Sequence, residues 1–408
     1  TTCTASLAPG ASCFVQIRFA PATAGELSAY IPIGVGPEKV LRQVPLNGTG
    51  TDDNSATSNL IAGGNHVFVQ AGGTWYGRGA NAAGQLGIGS FTPQTTWVPV
   101  PALSGAVQIV AGHEFTFVKK ADGSWHATGS NGFGQLGLGD TSNRTTFVPV
   151  PAIQGATSVT AGPTQVFARM PNGQWLAAGY NAFGQLGTGD TANRSSFSSV
   201  PGLNGASEVV SGYNHTFARV GAGWKATGQN SRNQLLLGTG PARSTFVDVP
   251  AVAGASQIVL GSDNTFVKSS SGAWSAVGQN SSGSLGIGTS AIRYALTALP
   301  LLDGASTVIA AGISTYAQLP NGDWWATGYN GQGELGLGDL GNRSSFVRIP
   351  GISSAYRLIT GPVGGSVYAV SAADKKGTGA NYFNQLSVLP SGSNNSFRTS
   401  FTPMIDPP

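Results

Sequence analysis

Charge is what this sequence has least of. Asp, Glu, Lys and Arg make up 9% of its 408 residues, against about 25% in an ordinary soluble domain. The net balance is +4, from 21 basic and 17 acidic side chains. No basic run exceeds two residues, Lys119-Lys120 and Lys375-Lys376. A stripe that neutralises nucleic-acid phosphates is therefore not visible; only single arginines gathered in space could build one, and no specific nucleic-acid partner is expected. No apolar run approaches the roughly 18 residues of a membrane-spanning helix, so no membrane insertion is expected either.

Catalytic and metal-binding chemistry is equally thin. The four histidines, His66, His113, His126 and His215, have no His or Cys neighbour at zinc spacing. There is no Ser-His-Asp order, no nucleophile-elbow motif and no recurring acidic pair of the glycosidase type. No catalytic residue, metal or cofactor is expected. The two cysteines, Cys3 and Cys13, lie in an expected hairpin. They either close a local disulfide in an oxidising compartment or stay as two thiols.

Glycine, by contrast, is plentiful. There are 61, roughly twice the usual share of about 7%. The apolar fraction is ordinary at 40%, so a core can be buried and the surface must be Ser, Thr, Asn, Gln and Gly. Such a surface suits many short strands and turns, and points to a secreted or cell-surface bacterial protein. The chain starts at Thr1 without a Met or a signal-like apolar stretch, and reads as a processed product or a piece cut from a longer chain.

The glycines recur with a period. A Gly-x-Asn triplet places Asn at 81, 131, 181, 230, 280, 330 and 381, at spacings of 50, 50, 49, 50, 50 and 51. That defines seven units over residues 51–408. Each unit has a β-type run ending in a small-residue turn ("QIVAG", "SVTAG") and a second run ("FTFVKK", "QVFARM"). A tight Asp-Gly or Asn-Gly turn follows, where a positive φ is easily adopted. A third run carries Trp75, Trp125, Trp175, Trp224, Trp274 or Trp324, with Lys375 in the last unit. Then come a Gly-rich loop, such as "NGFGQLGLGD" at 131–140, and a fourth run ("TTFVPVP", "SSFVRIP"). Four short strands per unit, with no helical period, make an antiparallel meander. The class is all-β: a seven-bladed β-propeller of four-stranded antiparallel blades, whose closure removes open sheet edges. The first unit lacks a preceding "FVPVP" run and the last ends in "SFRTSFTPMIDPP". The strand around Phe401 to Met404 is therefore expected beside the first blade, with the blade phase left open.

The Ala-Gly turn, the Gly-x-Asn and the motif Gly84-Gln85-Leu86-Gly87-Ile88-Gly89, repeated at Gly134 to Gly139 and Gly184 to Gly189, resemble the regulator of chromosome condensation repeat family. The resemblance covers all seven units and implies a seven-bladed propeller without fixing a function. Unit 4 departs from it (Asn233-Gln234-Leu235-Leu236-Leu237-Gly238), unit 5 has Ser284 for Gln and unit 6 has Glu334. Residues 1–50 do not repeat. Three runs, "CFVQIRFAP", "GELSAYIPIGVG" and "KVLRQVPLNGTG", resemble the C-terminal half of a Hydin-like Ig-type surface-protein domain, a partial Ig-like β-sandwich segment that a partner or a longer chain would complete.

The expected function is non-catalytic binding or scaffolding, through a protein or glycan partner or through other copies in a surface assembly. One alternative is a hydrolase or lyase with a site at the central mouth; another is a guanine-nucleotide-exchange or chromatin-binding factor. The Gly-rich loop lacks the Lys-Ser/Thr of a phosphate loop and no helix follows it, so it reads as a structural turn. The Trp series reads as packing between blades. Candidate binding residues are the loop-tip aromatics Phe133, Phe183, Tyr382 and Phe383, and an arginine just past each loop but the first, which has Gln94: Arg144, Arg194, Arg243, Arg293, Arg343 and Arg398. Each arginine either ties its own loop or joins a ring that binds an anionic partner. Strand geometry puts the Ala-Gly turns and the long loops on one face.

Overall fold

A computed structural model describes residues 25–35, 40–50, 60–354, 356–371, 374–386 and 397–407, the first two segments as backbone. The chain divides into two compact units, Thr1–Thr57 and Ser58–Pro408. In the first, Gly25–Val35 pairs antiparallel with Val40–Gly50, from Gly25 opposite Gly50 to Val35 opposite Val40. These are two of the three expected strands. The run "CFVQIRFAP", with Cys3 and Cys13, lies outside the described residues.

The second unit holds seven four-stranded antiparallel sheets, each with its strands in chain order. Blade 1 uses Leu60–Ala62, His66–Ala71, Thr74–Gly79 and Gln94–Pro99; blade 2 uses Ala106–Ala111, Phe115–Lys120, Trp125–Gly129 and Arg144–Pro149. The first strands of blades 1 to 6 neighbour one another in turn, and that of blade 7 (Arg357–Thr360) lies against that of blade 1. These first strands are the inner ones, and the "FVPVP" runs are the outer ones. Blade and sequence unit therefore coincide. The strand Phe397–Pro403 pairs with Lys375–Ala380 inside blade 7. It meets blade 1 as a neighbour: Trp97 Nε1 donates to the Ile405 carbonyl at 2.8 Å, and Met404 packs into the cluster of Leu60, Val69 and Trp97. Among the described residues, the ring closes by side-chain contact and not by a strand shared between its ends.

Local chemistry explains each element. The hairpin tips use Gly123 and Gly173 at φ 83° and 81°, a left-handed conformation that costs glycine least. Each outer strand of blades 1 to 5 ends in a 3-10 turn opened by proline (Pro101, Pro151, Pro201, Pro250, Pro300). Proline supplies the turn's φ, and its missing N–H is not needed there. The core lies between blades. Trp125 of blade 2 is fully buried in a cluster with Ile153, Ala156, Val159 and Val166, which belong to blade 3 or lead into it. Its Nε1 donates to the Ala156 carbonyl at 3.1 Å. Trp175, Trp224 and Trp324 repeat this bond to Ala206, Ala255 and Tyr356. In these four wedges a large ring fills the space while its one polar atom is satisfied; Trp274 is equally buried, but its Nε1 has no partner.

Candidate functional site: the long-loop face

The Gly-rich loops are inter-blade latches. In the loop at 131–140, the buried Asn131 accepts from the Leu136 amide through Oδ1 and donates from Nδ2 to the Asp140 carbonyl, both at 2.9 Å. Gln135 Oε1 accepts from the Phe133 amide at 2.9 Å. The amides of Gly134 and Gly137 close turns within the loop, and that of Gly139 reaches Ser195 O in blade 3 at 2.8 Å. These donors are spent on the fold, so the loop has no cradle of free amides to offer a phosphate. Gly137 sits at φ 68°, and a Cβ there would fall inside the Phe197 ring of blade 3.

Threonines lock the same joints from the neighbouring blade. Thr128 donates from Oγ1 to Gly84 O at 2.9 Å, with Arg144 O at 2.8 Å. Thr116, Thr216, Thr265 and Thr315 each donate to the carbonyl of the preceding blade's Gln85, Gln185, Gln234 or Ser284 at 2.7–2.9 Å. His66 and His215 are buried and pair with Thr116 and Thr265 at 3.1 Å. Burial first, then the neighbouring His113, lowers the His66 pKa to about 3; burial lowers that of His215 to about 4. Both are neutral joint residues, and among the described residues no group of three His, Cys, Asp or Glu could hold a metal ion.

The arginines divide into kinds. Arg144, Arg194 and Arg343 pair with Asp140, Asp190 and Asp339 of their own loops at 2.6, 2.7 and 2.5 Å. Each also donates to the carbonyl two residues back (Ser142, Ala192, Gly341). The arginine hydrogen bond, then a backbone amide, holds each carboxyl below its usual range. Arg243 reaches Pro241 O and Arg293 reaches Thr289 Oγ1, both at 3.3 Å. Arg398 is buried, and Nη1 donates to Phe397 O at 3.0 Å. Three of the six are thus loop ties with their charge matched, and the described geometry brings no uniform ring of free guanidinium groups together.

Two of the four aromatics, Phe133 and Phe183, are brought together, through Tyr180; Tyr382 and Phe383 belong to unit 7. Phe133, 41% exposed, has its ring centroid 4.8 Å from that of Tyr180 in blade 3, and Tyr180 lies 6.5 Å edge-on from Phe183. Tyr382 is 55% exposed, and its hydroxyl accepts from Gln332 Nε2 of unit 6 at 3.2 Å; Phe383 is half-buried. Tyr213, in the turn after the inner strand of blade 4, is also exposed. The Ala-Gly turns share this face: Gly64 N donates to His113 O, Ser262 N to Gly312 O, and Ser130 N ties the Gly-x-Asn triplet to Glu114 O. Sequence reasoning missed Tyr180 and Tyr213. Tyr180 fills the middle of a Gly-x-Asn triplet, as Tyr329 does, and that recurrence was the available signal. Its contact with Phe133 crosses blades, so spacing within a unit does not show it.

No described helix is long and apolar enough to cross a membrane. Comparison with known proteins places this architecture. A search of curated protein sequences returns no match. Among solved structures, yeast RCC1 (Prp20), seen bound to Kap60, is similar at TM-score 0.71 and 14% identity, over 86% of this chain and 85% of that one. Prp20p from Saccharomyces cerevisiae, described with its binding to Gsp1p and histones, scores 0.68 at 15% identity over 86% and 87%. Human WBSCR16 scores 0.63 at 18% identity over 81% and 90%. The family model for the Regulator of chromosome condensation (RCC1) repeat matches residues 172–219, so the chain carries an RCC1-type repeat within a seven-bladed propeller of the RCC1-like fold.

Proposed function

We propose that this chain works by binding, with the long-loop face as its docking surface and a protein as its partner, in a secreted or cell-surface bacterial protein. The observation that carries the reading is the aromatic group Phe133–Tyr180–Phe183, presented across two blades on loops that hold the Phe133 and Phe183 amides through Gln135 and Gln185 Oε1. Rigid, part-exposed aromatic rings lose little entropy on docking and are typical anchors of interfaces. The low overall charge and the charge-matched arginines favour this over recognition of an anionic polymer. The yeast proteins are described with Kap60, Gsp1p and histones; at 14% and 15% identity that likeness supports the fold and does not bring those partners to this chain.

The test uses the intact chain and a Phe133→Ser/Tyr382→Ser variant with unchanged melting temperature. Each is immobilised and exposed to the same extracellular fraction and to a glycan array. A protein retained by the natural chain and lost from the variant supports the proposal. Equal retention by both, binding confined to glycans, or accelerated nucleotide release from a small GTPase overturns it.

A further inference from the structure

The face opposite the long loops carries the hairpin tips and the 3-10 turns, and on one side of the ring it is basic. The second strand of each blade ends there. At one position of that strand, blades 2, 3, 4 and 5 present Lys119, Arg169, Arg219 and Lys268, and blade 2 adds Lys120. Blades 6, 7 and 1 have Gln318, Val370 and Gln70 in the same place. Other cations of this face are matched by carboxylates: Lys225 by Asp248, Arg348 by Asp323 and Lys375 by Asp406, at 2.7–2.8 Å. Among the described residues none of the five in the arc has a carboxylate at ion-pair distance. Three acidic residues stand near them: Glu208 opposite Arg219 in the sheet, Asp122 beside Lys120, and Asp303, whose Oδ1 accepts the Trp274 amide at 3.4 Å. The arc keeps a surplus of positive charge.

Its charges are held in place by the fold. Lys119 Nζ lies 5.7 Å from the Trp125 ring centre and donates to Ala156 O at 2.9 Å. Lys268 Nζ lies 5.5 Å from the Trp274 ring and donates to Ala305 O at 3.1 Å. Arg219 lies 5.9 Å from the Trp224 ring, and its Nη1 donates to Ser256 O at 3.2 Å. Each stem is laid across the wedge towards the next blade, where the ring face attracts the cation. An ammonium has three donors and a guanidinium five. Each of these three side chains spends one on its carbonyl, and the others can meet an anion with the ordering of the stem already done. Arg169 stands within the row, and its buried Nε has no protein acceptor. An acceptor brought by a partner relieves that deficit. Apolar groups lie among the charges: Met170 and Val220 follow Arg169 and Arg219 in sequence, and Val107 and Leu301 are exposed.

We propose that this arc on blades 2 to 5 is a docking site of its own, and that it takes an acidic protein segment with apolar residues between its carboxylates. A nucleic acid or a sulfated glycan would use the cations and leave Met170, Val107 and Leu301 without a counterpart; an acidic peptide uses both. The site lies on the face opposite the aromatic rings and does not rest on the function proposed above.

The test titrates the intact chain with a fluorescent peptide in which pairs of Glu alternate with Leu, read by anisotropy. Binding should be saturable and should weaken as salt is raised, and the counterpart peptide with Gln for Glu should not bind. Arg169→Gln should melt as the natural chain does and bind the Glu peptide about tenfold more weakly or worse, the usual scale for a lost hydrogen bond between charged groups. Lys225→Gln/Asp248→Asn, which removes a matched pair from the same face, should leave the affinity unchanged. No binding of the Glu peptide, equal binding of the Gln peptide, indifference to salt, or an equal loss in the matched-pair variant overturns the site. Heparin or duplex DNA bound more tightly than the Glu peptide overturns the acidic protein segment as its occupant. If Arg169→Gln does not fold, the two peptides and Lys119→Gln/Lys268→Gln decide. Peptide binding without any aromatic-dependent partner retention leaves this site standing and overturns the long-loop function.

Discussion

The joint between blades 2 and 3 and the joint between blades 4 and 5 occupy equivalent places in the ring and are built from different residues. At the first, Gly137 leaves room for the Phe197 ring, and Leu138 bridges to Ser196. At the second, Leu236 stands where Gly137 stands, and Leu296 where Phe197 stands. Leu236 is buried at φ 61° in the cluster with Val277 and Leu260, and Leu296 is 37% exposed. Bulk has moved from the outer strand of one blade to the loop of the other. Asn233, at φ 58°, replaces the first loop glycine and donates from Nδ2 to Tyr294 O at 2.7 Å, a bond that loop glycine amides make to this carbonyl position elsewhere, as from Gly139 to Ser195 O. Two left-handed non-glycine residues stand against none in the other loop. A left-handed L-residue costs about 1–2 kcal/mol, less for Asn. What the ring requires of a joint is therefore a filled volume and a satisfied carbonyl, and the glycines are one way to supply them.

The part shared by both joints should give the largest effect. Trp125→Ala and Trp224→Ala each empty a fully packed wedge and remove a hydrogen bond to a carbonyl, that of Ala156, which Lys119 Nζ also reaches at 2.9 Å, or that of Ala255. Each should cost about 3–5 kcal/mol by the usual penalty for deleting a buried Trp, read as a lowered denaturant midpoint at constant m-value. A clear inequality between them would show that the wedge, and not only the loop, differs between the joints.

The bulk exchange gives the next effect and tests the comparison itself. Leu236→Gly opens a cavity, and Leu296→Phe directs a ring into space that Leu236 fills. Each alone should destabilise, and the double variant should recover most of the loss. Coupling between contacting residues is typically about 0.5–3 kcal/mol. Additive single effects would mean that the two leucines do not share one volume. On the other side, Gly137→Ala should cost roughly 1–3 kcal/mol from overpacking together with its positive φ, and Phe197→Leu in the same chain should return part of it.

Much of the ring was legible because its determinants are local. The Asn-Gly and Asp-Gly tips, the Trp before six of the seven Gly-x-Asn triplets and the proline at the end of the outer strands all act within one unit, so a period near fifty exposes them. The blade phase was not legible, because an inner strand differs from an outer one only in what lies beside it. The loss of glycines in unit 4 was visible, but its counterpart, Leu296 in place of Phe, sits in the next unit, where no local rule connects the two. The candidate site follows the same division. Phe133 and Phe183 stand out within their own loops, whereas Tyr180 matters through a contact from the neighbouring blade. Each arginine tie is an i,i+4 pair that spacing alone suggests for Arg144, Arg194 and Arg343, and the separate condition of Arg243 and Arg293 follows from the loss of that Asp in units 4 and 5.

That loss yields the smallest predicted effect. Arg194→Ala removes an ion pair whose Asp190 is exposed to solvent, where the attraction is screened and the side-chain ordering offsets much of the gain. Arg243, at the equivalent place, has no carboxylate ion pair among the described residues, so Arg243→Ala should leave the melting temperature unchanged and Arg194→Ala should lower it slightly. The sign with pH separates the pair from mere loss of packing. Asp190 is held below its ordinary range by the Arg194 hydrogen bond, so its contribution is present above the unfolded carboxylate pKa and is lost as pH falls through the folded one. The small difference between Arg194→Ala and the natural chain should therefore vanish in acid. If Arg194→Ala also abolishes partner retention while melting normally, the arginine belongs to the docking surface as well as to its loop; if retention persists, the aromatic rings carry the face alone.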